Sequence, residues 1–272
     1  MPIIKDQSSK FIIFFLSAAI LISVTGCGKN TPTADELSKL TAKAILSDNA
    51  DVYCEGECCA EGHIVLGSEL SDNLLKIYAL TMYGNYGFRN DIFIKVSGSG
   101  IVPAVLTFEK EGTDYKLQGI EYPQDGAKYR ESIKRMFPLK YHMQVLHYSE
   151  SHNASLESQE KRYAEKYLKS MKRDAKIGEF SDLNAVLLTD MGVDVEVSNK
   201  LIRDERLCQY PFWVGTAEFL ENGKRYVRSL SLNEATGQII YRTTEKETGT
   251  ITELFIFDAD NGEELDLPYS SQ

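Results

Sequence analysis

Basic residues are in short supply in this chain: 30 Lys and Arg stand against 40 Asp and Glu, a formal charge of −10. Such an excess of acid offers no electrostatic footprint to a phosphate backbone, so nucleic acid is excluded as an expected partner. Long apolar runs are lacking too. The most continuous, 11–24, falls short of the roughly 20 residues of a spanning helix. Also missing are a His-Glu-x-x-His pair, a Gly-x-Ser-x-Gly elbow and a phosphate loop, which removes the commoner hydrolase and nucleotide-binding readings. Ser71-Asp-Asn73 and Ser158-Gln-Glu-Lys161 match two motifs of penicillin-recognising enzymes, but in reversed order and without a Lys-Thr-Gly. Histidine is scarce, at 4. Three of them, His142, His147 and His152, recur every fifth residue, a spacing that rotates side chains around a helix instead of stacking them on a shared metal. No cofactor is expected.

What is present begins with an address. Lys5 and Lys10 supply a basic segment, residues 11–24 an apolar one, and Val24-Thr-Gly-Cys27 follows in the manner of a lipobox. Residues 1–26 then read as a lipoprotein signal peptide, Cys27 as the lipidated residue, and 27–33 as a short tether. Two acyl chains on Cys27 meet the two-signal requirement for stable anchoring. The expected location is the extracytoplasmic face of the cell membrane, with the membrane itself as a partner through that lipid. An acidic ectodomain is repelled by an anionic leaflet and should stand off it.

Outside the cytoplasm, the remaining Cys54, Cys58, Cys59 and Cys208 suggest up to two disulfides, with three connectivities open. A bridge from Cys208 to the Cys54–Cys59 loop would join the two halves of the chain. The same cysteines, set among Glu55 and Glu57, are candidate metal ligands, although Cys-x3-Cys-Cys departs from the Cys-x2-Cys of structural zinc sites. Cys58 or Cys59 with His63 could supply a thiolate and imidazolium pair, although His63 opens an apolar strand where a buried, hydrogen-bonded histidine is commoner. Asp258-Ala-Asp260-Asn261-Gly262 has part of a calcium loop but no glutamate at the twelfth position, and reads by default as an Asx-rich turn.

Even without residues 1–26 the chain exceeds the roughly 100–200 residues of one domain, so two are expected. Thr33-Ala-Asp-Glu36 is a capping box ahead of apolar residues 37, 40, 44 and 45, predicting a first helix that ends near 47–49. Strands are predicted over 63–67, 74–83, 92–96, 101–109 and 115–122, with a β-bulge at Gly119. Asp125 and the apolar positions Tyr129, Ile133, Met136 and Phe137 predict short closing helices. A connector helix is expected within 151–176, with an apolar face from Leu156, Tyr163, Ala164, Tyr167, Leu168 and Met171. Four more strands follow, about 212–221, 224–232, 238–244 and 250–257, the first two joined by Asn222-Gly223, a type I′ hairpin signal. The fold class is α+β: a domain over 34–150 and a β-rich one over 177–272, each a helix packed on an antiparallel meander.

Glu61-Gly-His-Ile-Val-Leu-Gly-Ser-Glu69, Met82-Tyr-Gly-Asn-Tyr-Gly-Phe88, Lys95-Val-Ser-Gly-Ser-Gly100, Tyr122-Pro-Gln-Asp-Gly126 and Met136-Phe-Pro138 form a further pattern. Over about 34–175 it resembles the extracytoplasmic region of some clostridial BlaR-type membrane metallopeptidase sensors and of related lipoproteins. That resemblance implies a sensory or interaction module. It does not imply proteolysis, because the metallopeptidase motif is absent. The expectation is thus a non-enzymatic envelope lipoprotein that binds a protein, peptide or small envelope ligand. The alternatives are a thiol- or metal-dependent envelope enzyme centred on Cys54, Cys58, Cys59 and His63, and a purely structural spacer.

Overall fold

The structure, a computed structural model, describes residues 31–53 and 55–266. Residues 1–30, Cys54 and 267–272 lie outside the described residues, and with them the expected signal peptide, the lipidation site Cys27, most of the tether and one of the four candidate cysteines.

Helix α1 (Ala34–Asn49) starts where the capping box places it: the Glu36 amide donates to Thr33 Oγ1 at 3.3 Å and the Thr33 amide to Glu36 Oε2 at 2.7 Å. It buries Leu37, Thr41, Ala44 and Ile45, one stripe at helical spacing. Five strands follow, β1 (Cys58–Ser71), β2 (Leu74–Arg89), β3 (Ile92–Gly98), β4 (Val102–Glu111) and β5 (Asp114–Glu121). Then come α2 (Tyr129–Met136), α3 (His142–Leu146), α4 (Glu150–Ser170), the two-residue β6 (Ile177–Gly178) and α5 (Val195–Ile202). A second run of strands ends the chain, β7 (Gly215–Glu221), β8 (Lys224–Asn233), β9 (Gln238–Glu245) and β10 (Ile251–Asp258). With 30% helix and 40% strand, most of it antiparallel, the fold is α+β.

Strand β2 organises everything. Leu75, Ile77 and Ala79 on one of its faces meet Leu37 and Ala44 of α1, while Tyr78 meets α2 and α3, and Tyr86 and Phe88 meet Ala164 and Leu168 of α4. Burial on both faces is why it reads as a nearly unbroken apolar run. It extends six residues beyond the predicted 74–83, through Gly84-Asn-Tyr-Gly-Phe-Arg89. Those glycines serve close approach instead of a turn: a Cβ at Gly84 would stand 3.1 Å from the Glu160 carboxyl of α4, and one at Gly62 of β1 would stand 2.5 Å from the Leu156 carbonyl oxygen. Helix α4 therefore lies directly against the sheet.

All ten strands belong to one sheet, in which β10-β9-β8-β7 continues into β2. Along one edge of β2 the partner is β1 as far as Cys58 opposite Tyr86; the next bridge, Arg89 opposite Ala217, belongs to β7. Asn90 adds two hydrogen bonds to Thr216, its Oδ1 accepting at 2.7 Å and its amide donating at 3.0 Å. The expected partition into two domains is not confirmed: the described residues from Pro32 onward form one compact unit with a shared sheet. The second meander keeps its own core, Val197 and Leu201 of α5 against Leu230, Ile239, Tyr241 and Phe257.

The hairpin at Asn222-Gly223 forms with both residues at positive φ (50° and 78°), as a type I′ turn demands. The bulge forms too. Thr107 faces Gly119 and Phe108 faces Leu117, leaving Gln118 as the extra residue. Asp258 closes an Asx turn, its Oδ1 accepting from the amides of Asp260 and Asn261, so that carboxylate serves local chain geometry.

Candidate functional site

Where the two meanders join, a groove of about 700 Å³ opens between the Glu55-Gly56-Glu57 loop, the Cys208–Trp213 segment and the face of β7. One wall is aromatic. Phe180 and Phe212 stack with centroids 6.0 Å apart, and Trp213 sits edge-on to both at 5.5 and 5.0 Å. Phe180 and Phe212 are 46% and 53% exposed, an unusual state for stacked phenyl rings. Trp213 is buried, yet its indole Nε1 has no hydrogen-bond partner.

Charge is sorted around this groove. The side chains of Glu57 and Glu218 are both buried and fully committed: Arg225 donates to Glu57 at 2.7 Å and to Glu218 at 3.0 Å, Arg173 donates to both Glu218 oxygens at 2.6 and 2.7 Å, and Lys246 completes the cluster. Burial pushes the Glu218 carboxyl up, but the hydrogen bonds from Arg173 and Lys246 outweigh it and hold the group down at about 2. Two further arginines on the groove have no such partner. Among the described residues neither Arg89 nor Arg228 lies within salt-bridge distance of a carboxylate. Arg89 donates to the Phe88 carbonyl at 3.0 Å. Arg228 donates to Gln209, lies 3.8 Å over the Phe219 ring and leaves its Nε buried without a partner. Burial, the largest cause at each, lowers both guanidinium pKa values.

The predicted site residues fall in three places. Cys208 is exposed and lines the groove opposite Glu55, Gly56 and Glu57, so the structure brings its segment beside the cysteine loop. Cys59 is exposed next to Asn85, whose Nδ2 approaches its Sγ at 3.6 Å. Cys58 is buried against Ala60, Tyr86 and Phe88, and that burial pushes its thiol up to about 12, disfavouring the thiolate. All three are free thiols. No bridge joins Cys208 to Cys58 or Cys59 among the described residues, and Cys54 lies outside them; strand pairing and the Glu218 cluster connect the halves. Among the described residues no group of three His, Cys, Asp or Glu side chains could hold a metal ion.

His63 is drawn away from the thiols. Its Nδ1 bonds Glu61 Oε2 at 2.8 Å and its Nε2 bonds Ser38 Oγ at 2.8 Å, while Tyr163 donates to Glu61 Oε1 at 2.8 Å and Gln159 brackets the His63 backbone. Ser38, His63 and Glu61 stand in the order of a hydrolase triad. The setting differs. Ser38 lies in the second turn of α1, where its own backbone amide and those of its helical neighbours are spent within the helix and do not form an oxyanion hole. The chain of bonds instead ties α1, β1 and α4 together, and it was illegible in sequence because Ser38 and Tyr163 sit far from the Glu61-x-His63 pair.

No family model, curated protein or solved structure matches the chain.

Proposed function

We propose that this chain is a cell-envelope lipoprotein, anchored to the outer leaflet by acylation of Cys27, whose ectodomain works as a non-enzymatic binding module with the groove as its ligand site. The observation that carries the reading is the half-exposed Phe180–Phe212 stack in a concave site of about 700 Å³. Ligand sites are concave and set apolar walls beside polar groups that orient the ligand, and this one places Phe180, Phe212 and Trp213 in one groove with Arg89 and Arg228. The Val24-Thr-Gly-Cys27 motif supports the anchor, and the resemblance to extracytoplasmic sensor regions supports a binding role over a catalytic one.

The chain contains a single tryptophan, and Trp213 lines the groove, so its fluorescence reports occupancy directly. Full-length protein incubated with envelope extract should capture a partner and shift the Trp213 emission. Phe180→Ala with Phe212→Ala should abolish capture while leaving the melting temperature within about 2 °C, since exposed side chains contribute little to stability. Metabolic labelling with a fatty acid should mark the wild type and not Cys27→Ala, which should be released from membranes. Turnover of an envelope substrate, or retention on membranes without Cys27, would defeat the corresponding half of the reading.

A further inference from the structure

The strand register places Arg89, Ala217 and Arg228 directly opposite one another across β2, β7 and β8. Opposed residues on neighbouring antiparallel strands project from the same face, and strands lie roughly 4.8 Å apart. The two arginines therefore rise from one row with only a methyl group between them. Ala217 is itself buried, so it forms a floor, and Arg89 and Arg228 form the sides of a notch opening into the groove.

Carboxylates surround this notch without entering it. Glu57 and Glu218 are held by Arg225, Arg173 and Lys246. Glu253 accepts hydrogen bonds from Tyr210 at 3.1 Å and Thr243 at 2.8 Å. Glu55 and Glu221 are exposed and act on Arg89 and Arg228 respectively only from beyond contact distance. Two half-buried guanidinium groups with no anion between them carry an unrelieved desolvation cost, and a ligand anion would offset it.

We propose that this notch clamps the free carboxylate of a peptide chain end whose last side chain is aromatic or bulky apolar and lies on the Phe180–Phe212–Trp213 wall. The inference rests on the groove being a ligand site. A planar carboxylate suits the fork of a guanidinium and accepts from two arginines at once. The aromatic wall beside the notch calls for an apolar group next to the charge. The chain's own net charge of −10, with Glu55, Glu57 and Glu218 lining the groove, disfavours multiply charged ligands and selects a monoanion. Trp213 Nε1 and Arg228 Nε, both buried and without partners, supply additional donors.

Full-length protein in detergent is titrated with acetyl-Ala-Phe as the free acid, with its C-terminal amide and with phenyl phosphate, following Trp213 emission and heat. The acid should bind, and the amide should be weaker by about tenfold or more, the worth of a charge-assisted bond. Arg89→Gln and Arg228→Gln should each erase the difference between acid and amide. Because the ratio of acid to amide is measured on wild type, it stands even if a variant fails to fold. Equal binding of acid and amide overturns the carboxylate clamp while leaving the groove a ligand site, as does tighter binding of phenyl phosphate. Failure of all three probes, in protein that still captures an envelope partner through Phe180 and Phe212, also overturns the clamp. Failure of that capture as well overturns the underlying reading.

Discussion

At the scale of single residues, two buried carboxylates carry opposite pH signatures. Glu160 is 1% exposed on the sheet-facing side of α4, with Lys95 Nζ 3.0 Å from each oxygen; burial raises its carboxyl to about 7 despite the opposing pull of Lys95. Its folded value lies above the ordinary 4.5, so the folded chain keeps a proton that the unfolded chain releases. The stability this contributes is present below pH 4.5 and is lost as pH rises toward 7. Glu160→Gln should therefore gain on wild type between pH 5 and pH 8, as read from the difference in melting temperature at the two values. A constant difference across that range would show that Glu160 is not held protonated. Glu218 behaves in reverse: held at about 2, its contribution is present above pH 4.5 and drains away as pH falls.

Among elements, the contact of α4 with the sheet is made by glycine. Gly62→Ala would place a methyl 2.5 Å from the Leu156 carbonyl oxygen, a backbone atom that cannot swing aside, so α4 must move. A loss of about 1–3 kcal/mol is expected, the usual cost of overpacking, measured by urea denaturation with the slope unchanged. A neutral substitution would mean that α4 rides higher on β1. Elements with local chemistry were legible in sequence: the Thr33 capping box, the Asn222-Gly223 hairpin and the Gly119 bulge all depend on neighbours a few residues apart. The second half of β2 was not, because Gly84, Asn85 and Gly87 carry turn chemistry that tertiary burial overrides. Nor was the notch, since Arg89, Ala217 and Arg228 come from three strands, and only the register aligns them. The cysteines pointed to the region of the groove through Cys208 and the Glu55–Glu57 loop, but not to the strand pairing and ion pairs that connect the halves there, because those partners come from distant segments.

Over the whole molecule, two meanders with separate cores are coupled at a waist: the Arg89–Ala217 bridge, the Asn90–Thr216 hydrogen bonds, the buried cluster of Ile94, Leu183 and Trp213, and the ion pairs around Glu218. The groove lies at this waist, so any ligand in it touches both meanders and their coupling bears on function. At neutral pH the shared sheet should make unfolding a single transition. Glu218→Ala leaves Arg173, Arg225 and Lys246 facing one another without their common carboxylate, at a cost of about 3–5 kcal/mol for breaking a buried ion pair. That loss falls on the waist and not on either core, because Leu230, Ile239, Tyr241 and Phe257 pack among themselves and with α5, while Leu75, Ile77 and Phe108 pack with α1. Calorimetry of the variant should then resolve two transitions where the wild type gives one, and the wild type should approach the same behaviour as pH falls from 4.5 toward 2 and the Glu218 contribution is lost. A single, merely lowered transition in the variant would mean that strand pairing and the Ile94–Leu183–Trp213 cluster suffice to couple the meanders, and that the ion pairs serve the local geometry of the groove.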